Sequence, residues 1–362
     1  MDDSQEKLGK IRRQIDEVDR KLLQLFNRRA NLAREVAEIK GDSRGAMAYY
    51  HPDREAGVLR RLVAANEGPL SDEEAARLFR EVMSACRALQ TPMSIAFLGP
   101  QGTFTEAAAL KHFGHSVHTG ALDTVDAVFR EVESGASDYG IVPVENSTEG
   151  MVTHTLDMFT RSPLAICGEV QLRIHHYLLS KSEGIATVQR VYSHQQSLAQ
   201  CRKWLDTNMP AVERLTVNSN AEAAFRASRE PGTAAIAGET AASHYELQIL
   251  AANIEDEPDN TTRFLVIGRS SVAPTGRDKT SLLLSAKNVP GALYGLLEPF
   301  SRRGISMTRI ESRPSRSGLW EYVFFVDIEG HACDANVAEA LAEIEERASL
   351  FKVLGSYPRA VL

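Results

Sequence analysis

Much that would classify a chain quickly is missing here. Four cysteines, Cys86, Cys167, Cys201 and Cys333, are scattered over 362 residues without a CxxC pair. That spacing speaks against a disulfide framework and reads as the reduced thiols of a cytosolic protein. A basic excess is missing too: the net charge is −7, so no nucleic-acid partner is expected. No apolar stretch is long enough to cross a bilayer, and the opening MDDSQEKLGK lacks the basic and apolar regions of a signal peptide. A cytoplasmic protein with no membrane partner is the expectation. The GxGxxG spacing of a dinucleotide site does not occur. The pair His175-His176 hints at a metal, but adjacent residues of a strand face opposite ways, which favours a structural role.

What is present is an ordinary globular composition, 43% hydrophobic and 25% charged, over a length that suits two or three domains rather than one core. The most informative stretch is Asp138 to Val152. An apolar run, Tyr139 to Val144, reads as a buried strand. Glu145, Asn146, Ser147 and Thr148 follow at once, then Gly150, and Met151 to Phe159 reads as an amphipathic helix. Capping that helix needs one polar residue. A carboxylate, an amide and two hydroxyls in a row point instead to ligand contacts at the edge of an open α/β sheet.

In the first ninety residues, Leu8, Ile11, Ile15, Val18, Leu22, Leu25, Leu32, Val36 and Ile39 fall on three- and four-residue steps. They predict one helix from Leu8 to about Lys40, roughly 48 Å long. A small domain cannot cover such a helix, so an intertwined dimer is expected. Arg29 interrupts the apolar seam. A guanidinium there is costly unless an anion meets it. Two shorter helices follow, one starting near Pro52 and one opening with Ser71 and Glu74 as a capping box. Gln90 is a second polar residue on an apolar face. Arg29, Gln90, Arg54, Glu55 and Lys40 can therefore converge on one cationic cavity suited to a small dicarboxylate.

Residues 8 to 90 resemble the all-helical chorismate mutase domain, from Ile11-Arg12 through Arg29 and Lys40 to Asp53-Arg54-Glu55 and Gln90. The resemblance implies that Arg12 of a partner subunit, Arg29 and Arg54 hold two carboxylates. Lys40 and Gln90 would donate to the ether oxygen, and Glu55 would take the substrate hydroxyl. A Claisen rearrangement needs no nucleophile and no proton transfer. It needs a compact conformer held in place and donors aimed at the oxygen that gains charge. His51 stands where an acid often sits, and Cys86, on the substrate side, where a serine often sits.

Gln90-Thr91-Pro92 breaks the helix as a linker. Ser94 to Leu98 reads as a strand, and Gly99 to Phe104 as a turn into a helix that Thr103 and Glu106 box. Strand, glycine turn and helix N-terminus make a possible anion site of backbone N–H groups. Further strands (Leu172 to Leu179, Val191-Tyr192, Ala234 to Ala237, Phe264 to Ile267) alternate with helices, which implies a parallel sheet covered on both faces. Residues 94 to 270 resemble prephenate dehydratase. The markers are Gly99-Pro100-Gln101-Gly102-Thr103-Phe104, Pro143-Val144-Glu145-Asn146-Ser147-Thr148-Glu149-Gly150, Ser193-His194-Gln195-Gln196 and Thr262-Arg263-Phe264. The resemblance implies two α/β lobes around a cleft, Thr262 as the key catalytic hydroxyl and Arg263 as a carboxylate holder or site organiser. Glu145, Asn146, Ser147 and Thr148 would line the pocket, with Gly102 and Thr103 beside them. The leaving ring hydroxyl needs a proton or a strong hydrogen bond, help worth about 10²–10⁴ in rate. Thr262 or Glu145 could supply it. No metal or organic cofactor is expected.

Ser270 to Asp278 is a second linker. Beyond it the pattern is βαββαβ, the ferredoxin-like order: strands Thr280 to Ala286, Ser306 to Arg313, Leu319 to Ile328 and Lys352 to Ser356, helices Pro290 to Arg302 and Asp334 to Ala348. This unit, with Glu311-Ser312-Arg313-Pro314, resembles the amino-acid-binding ACT domain of phenylalanine-regulated dehydratases. The resemblance implies L-phenylalanine held between Gly291, Ala292 and Leu293 of one subunit and Glu311 and Ser312 of another. The fold expected is thus multidomain: an all-α mutase domain over residues 1–91, an α/β two-lobed dehydratase domain over 93–270 and a ferredoxin-like ACT domain over 279–362. The order implies a bifunctional enzyme of phenylalanine biosynthesis, with chorismate and prephenate as substrates, L-phenylalanine as effector and a homodimer or higher homo-oligomer as its assembly.

Overall fold

A computed structural model describes residues 2–40, 50–287, 289–314 and 322–361. The Lys40 side chain, Asn288 and the start of the strand expected at Leu319 lie outside the described residues.

The front module is three helices, α1 (Asp2–Lys40), α2 (Pro52–Ala64) and α3 (Asp72–Ala88). Pro52 opens α2, where its missing N–H costs nothing. The Ser71 hydroxyl accepts the Glu74 N–H at 3.2 Å to open α3. The Glu74 carboxylate does not return to Ser71 but takes Arg77, so half of the expected capping box forms. Along α1, Leu8, Ile11, Ile15, Val18, Leu22, Leu25, Leu32 and Val36 lie 42% to 59% exposed within the single chain.

The middle module has two sheets. In the first, β1 (Ser94–Leu98) pairs in parallel with β2 (His118–Leu122) and β3 (Tyr139–Asn146). Then β11 (Thr261–Gly268) runs antiparallel between β3 and β5 (Ala165–Arg173). The expected all-parallel sheet is therefore mixed. The cause is topological: the chain leaves to build the second lobe over residues 174–260 and re-enters the first sheet from the opposite end. The strand expected at Leu172 to Leu179 is likewise split, into β5 and β6 (Tyr177–Ser180), by the crossing between lobes. The second sheet holds β6, β7 (Arg190–His194), β8 (Glu213–Val217), β9 (Thr233–Ala237) and β10 (Gln248–Ala251), in the order β10-β6-β9-β7-β8. After β3, Gly150–Met151 pairs back as β4, so the helix expected from Met151 begins later, at Thr153–Arg161.

The last module is β12 (Asp278–Ser285), α4 (Ala292–Arg302), β13 (Met307–Pro314), β14 (Tyr322–Glu329), α5 (Ala335–Arg347) and β15 (Leu350–Pro358). Its strand order, β13-β14-β12-β15, is ferredoxin-like. One face packs on its own two helices. The other joins the middle module: Leu283, Phe325, Leu354 and Tyr357 share an apolar cluster with Val142, Val144 and Leu265. A Cβ on Gly355 would meet the Ile166 carbonyl oxygen at 2.2 Å, so β15 can lie this close to β5 only with glycine there.

The front module is also anchored in the middle one. Tyr50, 3% exposed, precedes α2 and packs among Ile95, Phe97, Phe113 and Tyr139. Its hydroxyl meets His112 Nε2 at 2.9 Å. Burial drops the His112 pKa to about 3, with Arg80 and Arg87 adding to the effect, so the imidazole there is neutral.

Candidate active sites

The first site is an open cavity of about 700 Å³ between α1, α2 and α3. Arg29, Arg54, Glu55, Cys86 and Gln90 all line it, with His51, Asp53 and Arg87, over an apolar wall of Leu32, Val36, Val58 and Met83. Arg29 Nη1 reaches only the Val82 carbonyl, at 3.4 Å. Among the described residues no carboxylate pairs with it, so its charge faces the cavity. The Gln90 side-chain amide donates to the Ala33 carbonyl, which ties the turn after α3 to α1. Glu55 Oε2 is 2.8 Å from Arg87 Nη1, a partner the sequence did not single out. Arg12 does not line this cavity. It lies 17 residues before Arg29 on α1, about 26 Å along the axis.

The second site is a cleft of about 460 Å³ between the lobes of the middle module. Asn146 and Thr262 are paired across β3 and β11 and both face it. The Asn146 carbonyl oxygen accepts the backbone N–H groups of Thr148 and Glu149, at 2.9 and 3.0 Å. That fixes the amide, whose Nδ2 donates at 2.8 Å to both Thr262 Oγ1 and Asn260 Oδ1. The Thr262 oxygen accepts this bond, and its own O–H has no acceptor among the described residues, so it is available to donate.

The polar line continues inward through Asn260, Gln200 and His176. Asn260 Nδ2 donates to Gln200 Oε1 at 3.3 Å, and His176 Nε2 lies 2.8 Å from the same oxygen. His176 is 1% exposed, and its Nδ1 has no partner among the described residues. Burial lowers its pKa against the pull of Gln200 and Glu255, so the ring is neutral. The preceding His175 instead meets Glu255 at 2.7 Å. Asn260 stands two residues before the Thr262-Arg263-Phe264 marker. Gln200, one helical turn beyond Gln196, carried no signal.

Three expectations are corrected. First, Glu145 and Arg263 leave the cleft. They are register partners one step from Asn146 and Thr262, so strand alternation turns both to the other face, against the last module. There Arg263 donates to Glu169 at 2.9 Å, Asp327 at 2.7 Å and the Tyr357 hydroxyl at 2.9 Å. Burial opposes its charge, but Tyr357, Asp327 and Glu169 hold its pKa above the ordinary arginine value. Arg309 bridges the same cluster, 3.6 Å from Asp327 and 3.7 Å from Glu145. Second, Ser147 and Thr148 form the turn rather than the lining: the Ser147 oxygen accepts the Thr261 N–H at 3.0 Å, and Thr148 is exposed. Third, Gly102 and Thr103 line the cleft, but the Gly102 N–H and the Thr103 hydroxyl are already engaged within the chain. The Glu106 carboxylate takes the Gly102 N–H at 2.6 Å, and the Thr103 hydroxyl turns to the Leu98 carbonyl.

In the last module Gly291 is the N-cap of α4, with Ala292 and Leu293 in its first turn. Glu311 and Ser312 lie on β13. No hydrogen bond or ion pair joins the two groups among the described residues. The neighbours of Glu311 on its face of the strand, Arg309 and Arg313, grip the middle module, Arg313 through Asp157 at 2.9 Å.

Three family models match the chain in order: chorismate mutase type II over residues 11–91, prephenate dehydratase over 95–272 and the ACT domain over 280–346. The bifunctional chorismate mutase/prephenate dehydratase of Pseudomonas aeruginosa is 54% identical over 362 residues, 99% of each chain. The chain belongs to the bifunctional chorismate mutase/prephenate dehydratase family. The member from Aquifex aeolicus is 46% identical over 361 residues, again 99% of each chain. Among solved structures, the prephenate dehydratase of Arthrobacter aurescens in complex with L-Phe superposes with a TM-score of 0.69 at 36% identity, covering 74% of this chain and 90% of that one. In this family member, then, the helical cavity falls in the mutase segment, the cleft in the dehydratase segment and Glu311 in the ACT segment. No helix among the described residues is long and apolar enough to cross a membrane.

Proposed function

We propose that the helical cavity rearranges chorismate to prephenate and that the cleft converts prephenate to phenylpyruvate, with L-phenylalanine as feedback inhibitor at the ACT module. The observation that carries this reading is a pair of chemically different cavities on one chain. One is cationic, with Arg29 unneutralised by any described carboxylate. The other is uncharged at its centre, built on a hydroxyl and an amide.

In the mutase cavity, Arg29 and Arg54 of one chain and Arg12 of a second copy hold the two carboxylates of the substrate. Gln90 and Lys40 donate to the ether oxygen as the C–O bond breaks, and Glu55 accepts the substrate hydroxyl. Binding the compact conformer and stabilising the developing charge supply the rate. In the dehydratase cleft, Thr262 donates to the ring hydroxyl as it departs, and Asn146 stabilises the threonine oxygen. The C–carboxylate bond breaks, its electron pair enters the ring and completes aromaticity, and CO₂ leaves. The departing hydroxide takes the proton as water, and solvent restores the threonine. Of the two proton donors the sequence allowed, Thr262 is favoured, because Glu145 lies on the wrong face of β3. Arg263 acts as an organiser beneath Thr262 rather than as a carboxylate holder. Domains at 1–91, 93–270 and 279–362, a homodimer or larger homo-oligomer and a cytoplasmic site complete the reading.

The test supplies chorismate to the purified chain and follows prephenate and phenylpyruvate, with and without L-phenylalanine. Both products should form, the second suppressed by the amino acid. Failure of either product to form removes the corresponding site, and an unaffected second step removes the effector.

A further inference from the structure

The Arg87 side chain is buried, lines the mutase cavity and holds three partners at once. Nη1 is 2.8 Å from Glu55 Oε2, Nη2 donates to the Phe113 carbonyl at 2.9 Å, and the guanidinium carbon stands 4.8 Å over the Tyr50 ring. Two of these belong to the dehydratase side. Phe113 ends the first helix of that module (Phe104–Phe113), and Tyr50 is seated in its core against Phe113 and Tyr139.

Glu55 sits on the first turn of α2 with 11% of its side chain exposed, facing a cavity meant for a dianion. A carboxylate there has two problems. Its charge repels the guest, and nothing in its own helix fixes where its oxygens point. Arg87 answers both. It cancels the charge locally and ties one oxygen, leaving the other for a hydroxyl. We propose that Arg87 is a positioning residue of the mutase reaction, setting the Glu55 carboxylate from a mount on the dehydratase domain. The inference rests on the reading that Glu55 receives the substrate hydroxyl.

The mount explains the choice of arginine. A guanidinium reaches the carboxylate and the carbonyl together through its fork, whereas a lysine ammonium satisfies one at a time. It also explains why Arg87 does not compete with Arg29 and Arg54 for the substrate: its donors point at Glu55 and Phe113.

The experiment uses the full chain and compares R87L, R87K, E55Q and R87L/E55Q. Dehydratase activity and thermal melting serve as checks on folding. Losing a buried charge-assisted contact should lower mutase kcat about ten- to a hundredfold in R87L. The KM for chorismate should change less than kcat, and R87K should recover part of the loss. The double variant should be no slower than E55Q. Equal loss in both activities, or losses in R87L and E55Q that multiply, would make Arg87 a docking residue only and overturn the inference. Should R87L fail to fold, R87K carries the test, and a mutase kcat matching the parent overturns it. A failed premise reads differently: E55Q alone would then leave mutase turnover unchanged.

Discussion

Thr262 and Arg263 are neighbours with opposite duties. The threonine holds its hydroxyl in the cleft under the Asn146 amide, and the arginine anchors the strand from behind. Glu145 and Asn146 divide the same way on the facing strand. T262A should therefore reduce dehydratase kcat at least a hundredfold, the scale of lost proton-transfer help, while leaving mutase turnover intact. E145Q should keep dehydratase kcat within about tenfold of the parent, because its side chain faces Arg309 rather than substrate. Steady-state rates of phenylpyruvate formation decide this. If E145Q were as slow as T262A, the assignment of faces would be wrong. The polar quartet after Val144 was visible in the sequence, but its division was not. A row of polar residues does not reveal whether the strand has ended, and here β3 continues through Asn146, so alternation still applies.

At the scale of elements, β11 is bonded to β3 and β5 in its own sheet and tied by Arg263 to Asp327 on β14. Asp327 is buried. Burial opposes its ionisation, but Arg263, Arg309 and the Ser281 hydroxyl hold its pKa below the usual carboxylate range. D327A leaves two guanidinium groups facing a lost partner and should destabilise the chain by about 3–5 kcal/mol. Its unfolding midpoint in urea should fall accordingly. A midpoint unchanged from the parent would mean that this cluster contributes nothing to the join between sheets. The periodicity of α1 was legible because three- and four-residue steps admit few other readings. The reversed direction of β11 was not, since it depends on how a segment of some ninety residues leaves the first sheet and returns.

At the scale of the molecule, a single chain leaves the seam of α1 half open. It also leaves Arg12 remote from the cavity that Arg29 lines. Both features are resolved if a second α1 lies along the first. Sedimentation equilibrium should give at least twice the chain mass. I15E/L22E should lower that mass and abolish mutase activity, with the dehydratase cleft retained. A parent chain that sediments as a monomer while still turning over chorismate would refute the shared site. The Arg29 interruption made the cavity legible in the sequence. The seat of Tyr50 was not, because its partners His112 and Phe113 lie some sixty residues away and no local pattern marks the contact.

That seat changes where the chain can be cut. The covalent boundary between the first two modules falls near Thr91, yet the physical one passes through Tyr50, forty residues upstream. A fragment trimmed at the linker would present to water an aromatic ring shaped for another domain's interior, just ahead of the turn that carries Arg54 and Glu55. Engineers seeking a stand-alone catalyst from the amino-terminal part would do better to redesign that tyrosine and its arginine neighbour than to adjust the cut.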